Sequence, residues 1–94
     1  MIVRISGEGR WRLPDELAPR LIDDELRVMR AAGEAAGEQD ESEYRYLLLA
    51  LCRYVRQCGV PLPNAAQPAH MTIPSPAMTL EETVAMLAEP PALW

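Results

Sequence analysis

The chain opens on two short runs in which apolar and polar residues alternate. In MIVRISGEGRWRL (1–13), Met1, Val3, Ile5, Trp11 and Leu13 occupy one set of positions, and Arg4, Ser6, Arg10 and Arg12 the other. A period of two is the pattern of a strand with one buried face. Gly7-Glu8-Gly9 between the runs predicts a hairpin loop. Taken as a three-residue loop, it sets Ser6 opposite Arg10, Ile5 opposite Trp11 and Val3 opposite Leu13, with Arg4 facing Arg12. Gly9 then supplies the left-handed residue that such a loop needs at its end. A slip by one residue would bury arginines, so the face assignment is well specified.

After Pro14 the period changes to that of a helix. A helix is expected from near Asp15 or Pro19 to Ala36, with Pro19 in its first turn, where a missing N–H costs least. Leu21, Ile22, Leu26, Val28, Met29 and Ala32 make a broad apolar stripe, while Asp23, Asp24, Arg27 and Arg30 lie away from it. Gly33 and Gly37 are alternative stops. EQDESE (38–43) is an acidic turn suited to the N-terminus of a second helix, YRYLLLALCRYVRQC (44–58), ended by Gly59 and Pro61. Its apolar face holds Tyr44, Leu47, Leu48, Leu51, Tyr54, Val55 and Cys58; Arg45, Arg53 and Arg56 take the other side, with Leu49 between them. So broad an apolar face either lies central in the core or lends part of its surface to a partner.

Residues 60–78 carry five of the nine prolines and read as an extended crossing segment, with HMTI as a short strand and Met71, Ile73 and Met78 as anchors. Thr79-Leu80-Glu81-Glu82 is a capping box opening a short helix, TLEETVAMLAE, with Leu80, Val84, Leu87 and Ala88 inward. PPALW follows, to dock or to join an interface. The assembled expectation is one α+β domain over 1–94: an N-terminal two-stranded antiparallel hairpin packed on an antiparallel helix pair, an extended Pro-rich segment and a short C-terminal helix.

Charge narrows the function classes. Nine arginines and no lysine stand against fourteen acidic residues, for a net charge of -5. That balance disfavours a general nucleic-acid binder, which needs a basic footprint to displace counterions. Residues 1–13 nevertheless hold a local +2, so the hairpin is a basic patch on an acidic chain. Its Arg4/Arg10/Arg12 face is read either as a solvated guard of a sheet edge or as a docking surface for acidic groups. Cys52 and Cys58 are some 240° apart around one helix, too far to bridge, and are expected as buried thiols. With no signal-like segment and no long apolar run, the chain is expected in the cytoplasm.

Catalytic machinery is not apparent. His70 is the sole histidine and sits in the proline-rich segment without an acid or thiol at a useful spacing. One histidine and two helical cysteines make an incomplete zinc site. Gly7-Glu8-Gly9 lacks the spacing and lysine of a phosphate loop. No enzyme, metal or cofactor is therefore expected.

In their order, MIVRISGEGRWRL, the helix pair, GVPLPN, HMTIPSP and TLEETVAML resemble the phage-shock protein A-associated domain family, PspAA, over nearly the whole chain. The resemblance implies a stand-alone cytosolic protein encoded beside phage-shock protein A, a coiled-coil membrane-remodelling protein related to the ESCRT-III class. It implies a part in the bacterial envelope-stress response, no enzymatic activity and no catalytic residues to transfer. The expected function is a non-catalytic adaptor or regulator of that coiled coil, with Arg4, Arg10 and Arg12 meeting acidic partner positions and membrane contact only through the partner. The alternative is a homodimer formed through the hairpin edge or the helix over 44–58, independent of that partner.

Overall fold

In a computed structural model, which describes residues 1–35, 41–63 and 68–88, the hairpin is the centre of a larger sheet. Strands β1 (Ile2–Ile5), β2 (Gly9–Arg12), β3 (Val60–Leu62) and β4 (Met71–Ile73) pair in the order β3-β2-β1-β4. β2 is antiparallel to both of its neighbours, and β4 runs parallel to β1. The two halves of the extended Pro-rich segment thus become the two outer strands. Pro61 is tolerated in β3 because an edge strand can spare one N–H. β3 and β4 lie at opposite edges of the sheet.

The hairpin register differs from the sequence expectation by two residues. Val3 faces Trp11, Arg4 faces Arg10 and Ile5 faces Gly9, leaving Ser6-Gly7-Glu8 as the loop. Glu8 N–H closes it on the Ile5 carbonyl at 2.9 Å. Gly9 has the positive φ expected of it, at 126°, and Gly7 within the loop has one too, at 78°. A two-residue shift keeps every side chain on its expected face, because the pleat repeats every two residues.

The helices cover one face of the sheet. A 3₁₀ turn (Asp15–Leu17) leads into α1 (Ala18–Ala35), with Pro19 in the first turn as expected. α2 (Ser42–Cys58) follows, and α3 (Leu80–Ala88) closes the described chain. α1 and α2 are antiparallel neighbours: Arg20, Asp24 and Arg27 line one side of the groove between them, and Tyr54, Leu51 and Leu47 the other. Arg20 lies over the Tyr54 ring at 4.2 Å, a cation–π contact that ties the start of α1 to the end of α2.

The core gathers Val3, Ile5, Leu13, Met71 and Ile73 from the sheet side, Leu21, Val28, Ala31, Ala32 and Ala35 from α1, and Tyr44, Leu48, Leu51, Cys52 and Val55 from α2. Three alanines on the inward side of α1 let that helix approach closely. Ile22 and Leu26, expected inward, are exposed instead, since the buried stripe is narrower than the apolar one. Glu25 is half-buried, and burial pushes its carboxyl above the usual range. Gly33 lies inside α1 and is no stop; Gly37, the 38–40 part of the acidic turn and PPALW fall outside the described residues, as do the side chains of Leu87 and Ala88.

α3 begins on the expected capping box. Glu82 N–H donates to Thr79 Oγ1 at 3.1 Å, and Thr79 N–H reaches back to Glu82 Oε1 at 3.3 Å. Leu80 and Val84 pack on the core. Thr83 is fully buried, and the Tyr44 hydroxyl bonds its Oγ1 at 2.6 Å.

Candidate partner-binding surface

Alternation along β1 and β2 sends Val3, Ile5 and Trp11 toward the helices, and therefore Arg4, Arg10 and Arg12 to the opposite face of the sheet. The structure brings all three together there. Arg4 and Arg10 are direct cross-strand neighbours, in a row that continues to Leu62 on one side and Thr72 on the other. Arg12 lies in the next row, between Ile2 and Val60. The like-charge pair is thus Arg4 with Arg10 and not Arg4 with Arg12. Two guanidinium groups on adjacent strands repel mildly. Arg10 Nε is buried without an acceptor among the described residues.

Neither side of the hairpin is a free edge. β3 covers the outer side of β2, and β4 that of β1. The three arginines stand on interior strands, so the edge-guard reading does not apply to them. The homodimer reading loses the hairpin edge for the same reason.

His70 has a structural place. Its N–H donates to the Ile2 carbonyl at 2.8 Å, and its Nδ1 accepts the Ile2 N–H at 2.9 Å. The imidazole thereby extends the β1–β4 ladder by one rung, with its ring proton on Nε2. The start of β1 is held again by the Met1 ammonium, which donates to the Leu13 carbonyl at 3.0 Å and pairs with Asp15 at 2.6 Å. That ammonium keeps the Asp15 carboxyl below its ordinary value.

A second polar centre was not legible in the sequence. Glu8, at the hairpin tip, pairs with Arg56 of α2 and accepts the Ser75 hydroxyl at 3.1 Å. These partners are 48 and 67 residues away along the chain, so no local spacing announces them. They form the floor of an open groove of about 660 Å³, walled by Leu49, Pro76, Ala77, Met78 and Glu82. A glutamate already bonded to an arginine and a serine is a brace for the loop, not a free general base.

The cysteines divide. Cys52 is buried, its Sγ 3.6 Å from the Pro74 carbonyl, and burial pushes its thiol up to about 11. Cys58, expected inward, is exposed at the end of α2. One cysteine should therefore react with a thiol reagent at neutral pH and the other only on unfolding. Mass spectrometry after brief alkylation is expected to show a single adduct, on Cys58; rapid modification of both would contradict this packing.

Among the described residues no three His, Cys, Asp or Glu side chains are placed to hold a metal ion. No helix among them is long and apolar enough to cross a membrane. The fold and surfaces define a small α+β protein with a cluster of arginines on one sheet face, Arg12 exposed and Arg4 and Arg10 half-buried. The chain belongs to the PspA-Associated protein family, PspAA, whose family model matches residues 1–93. Comparison with curated proteins and with solved structures gave no match. The family is one of accessory proteins linked to PspA and is not a known enzyme family.

Proposed function

We propose that this protein is a non-catalytic adaptor or regulator that binds a PspA-like coiled-coil membrane-stress protein, with Arg4, Arg10 and Arg12 as its contact residues. It acts in the cytoplasm and meets the membrane only through that partner. The observation that carries the reading is the arginine cluster on the sheet face turned away from the helices, in a chain of net charge -5. Carboxylates along an acidic helix are the groups that such a cluster would meet. Arginine suits that role because its planar fork bonds a carboxylate in two places. Leu62 and Val60 flank the arginines and offer apolar contact beside the charge.

The test is the affinity of the purified protein for a PspA-family coiled-coil protein from the same cell. Arg10→Glu with Arg12→Glu is expected to weaken binding at least tenfold and to flatten its dependence on salt. Unchanged affinity in a variant with the wild-type circular dichroism spectrum would remove the arginines from the interface. Absence of binding by the wild-type protein would remove the adaptor function itself.

A further inference from the structure

α1 leaves an apolar line uncovered. Ile22 is 50% exposed and Leu26 53%, and the half-buried Met29 lies outside the core cluster. They are spaced four and then three residues apart, so they fall on one line along the helix. That line is on the side opposite Arg20, Asp24 and Arg27, which border the groove to α2. Spacing of four and three is that of a coiled-coil seam: Ile22 takes position d, Leu26 a and Met29 d. Pro19 one step before and Gly33 one step after add no apolar bulk, so the seam is short.

The charges beside the seam decide what fits it. In the same frame Glu25 is the g residue before Leu26, and Arg30 the e residue after Met29. Neither has an ion-pair partner among the described residues. The other arginines of α1 are paired along the helix, Arg20 with Asp24 and Arg27 with Asp23. Glu34, one turn beyond Arg30, makes no ion pair with it and takes position b, away from the seam. Glu25 and Arg30 lie on opposite flanks, five residues apart, and cannot meet within one helix. Between parallel helices a g residue meets the e residue of the following heptad on its neighbour. Glu25 of one copy therefore meets Arg30 of another, and two-fold symmetry makes the pair twice. An antiparallel pair would set Arg30 against Asp23, which Arg27 already holds at 3.1 Å, and leave Glu25 beside Ala32. As a whole α1 has three arginines against four acidic residues, so it offers no net charge for a strongly acidic or basic partner. What it complements is itself.

We infer that α1 is a self-association surface, on which two copies of this chain pack in parallel through Ile22, Leu26 and Met29, with Glu25 of each on Arg30 of the other. Three apolar positions bury less than a standard interface, so the dimer is a weak one that forms and dissociates with concentration. It uses none of the sheet-face arginines, and a dimer therefore carries that face in two copies. The inference does not rest on the function proposed above.

Sedimentation of the purified protein over a concentration series reaching the millimolar range is expected to show reversible dimerisation. Leu26→Asp should weaken it at least tenfold. Arg30→Glu and Glu25→Arg should each do the same, because either one turns both flanking pairs repulsive. Mixing these two charge variants should restore association to near the wild-type strength, since both flanks of the mixed dimer are attractive again. A defect of folding would not be rescued by mixing. Leu26 and Arg30 are exposed, so their variants carry the test even where the half-buried Glu25 does not tolerate arginine. A wild type that stays monomeric throughout, or a dimer indifferent to Leu26→Asp and Arg30→Glu, overturns the inference. A well-folded Glu25→Arg that dimerises like the wild type overturns the parallel pairing. If the wild type is monomeric and only an added PspA-family coiled coil shifts the amides of Ile22 and Leu26, the line belongs to that partner and the inference falls.

Discussion

Replacing Gly59 with alanine is expected to destabilise the protein by about 3 kcal/mol, the upper range for forcing atoms into a packed site. The residue follows α2 and enters β3 in an extended conformation, at φ −98° and ψ 156°, so backbone strain is not the reason for glycine. Space is. A Cβ there would lie 2.7 Å from the Val55 carbonyl oxygen, 2.8 Å from Trp11 Cβ and 3.2 Å from Leu13 Cδ1. The first is backbone and the second is the root of a side chain, and neither can swing aside. Relief requires moving the end of α2 away from β2, which strains the β2–β3 pairing. For a chain of this size the expected fall in Tm is roughly 12–24 °C. Gly33→Ala supplies the opposite sign: nothing lies within 4 Å of its added Cβ, and alanine in a helix interior should add roughly 0.5–1 kcal/mol. Thermal melts of the two variants, side by side, separate crowding from propensity. A Gly59→Ala melt within two degrees of wild type would mean that the α2–β3 junction is looser than described.

That junction also shows where sequence reading stops. The faces of β1 and β2 were legible, because burying Val3, Ile5 and Trp11 forces Arg4, Arg10 and Arg12 outward. Their register was not, because a slip of two residues preserves both faces, and the choice of Ser6-Gly7-Glu8 as the loop is a matter of turn geometry. β3 and β4 are three residues each, too short for a periodic signal, and one contains a proline. What makes them strands is the pair of open edges that the hairpin offers. The arginine cluster was thus visible as a set of residues, while its setting on interior strands came only with the full sheet. On α1, bulk misled: Ile22 and Leu26 read as core, yet the helix packs through Leu21, Val28 and three alanines. On α2, Cys58 shares the side of Tyr54, but as the last residue of the helix it is exposed.

The Tyr44–Thr83 contact is expected to govern how firmly α3 is held. Both residues are about completely buried, and their hydroxyls are 2.6 Å apart. Tyr44→Ala removes a ring from the centre of the core and should cost about 3–5 kcal/mol. Tyr44→Phe keeps the ring and loses the bond. Its cost should be only about 1 kcal/mol, since Thr83 Oγ1 can turn to the Thr79 carbonyl one helical turn back. Thr83→Val is the harsher of the two conservative changes, because the Tyr44 hydroxyl has no neighbour on its own helix to fall back on. It should cost about 2–3 kcal/mol, the penalty for a buried donor left unpaired. The double variant removes both polar groups and should recover part of the loss, giving a coupling of about 1 kcal/mol. Hydrogen exchange locates the effect: in Thr83→Val the amides of α3 should open first, while those of β1 and α2 stay protected. Equal loss of protection across the chain would show that α3 unfolds only with the core, and additive single costs would show that the two hydroxyls do not act as a pair.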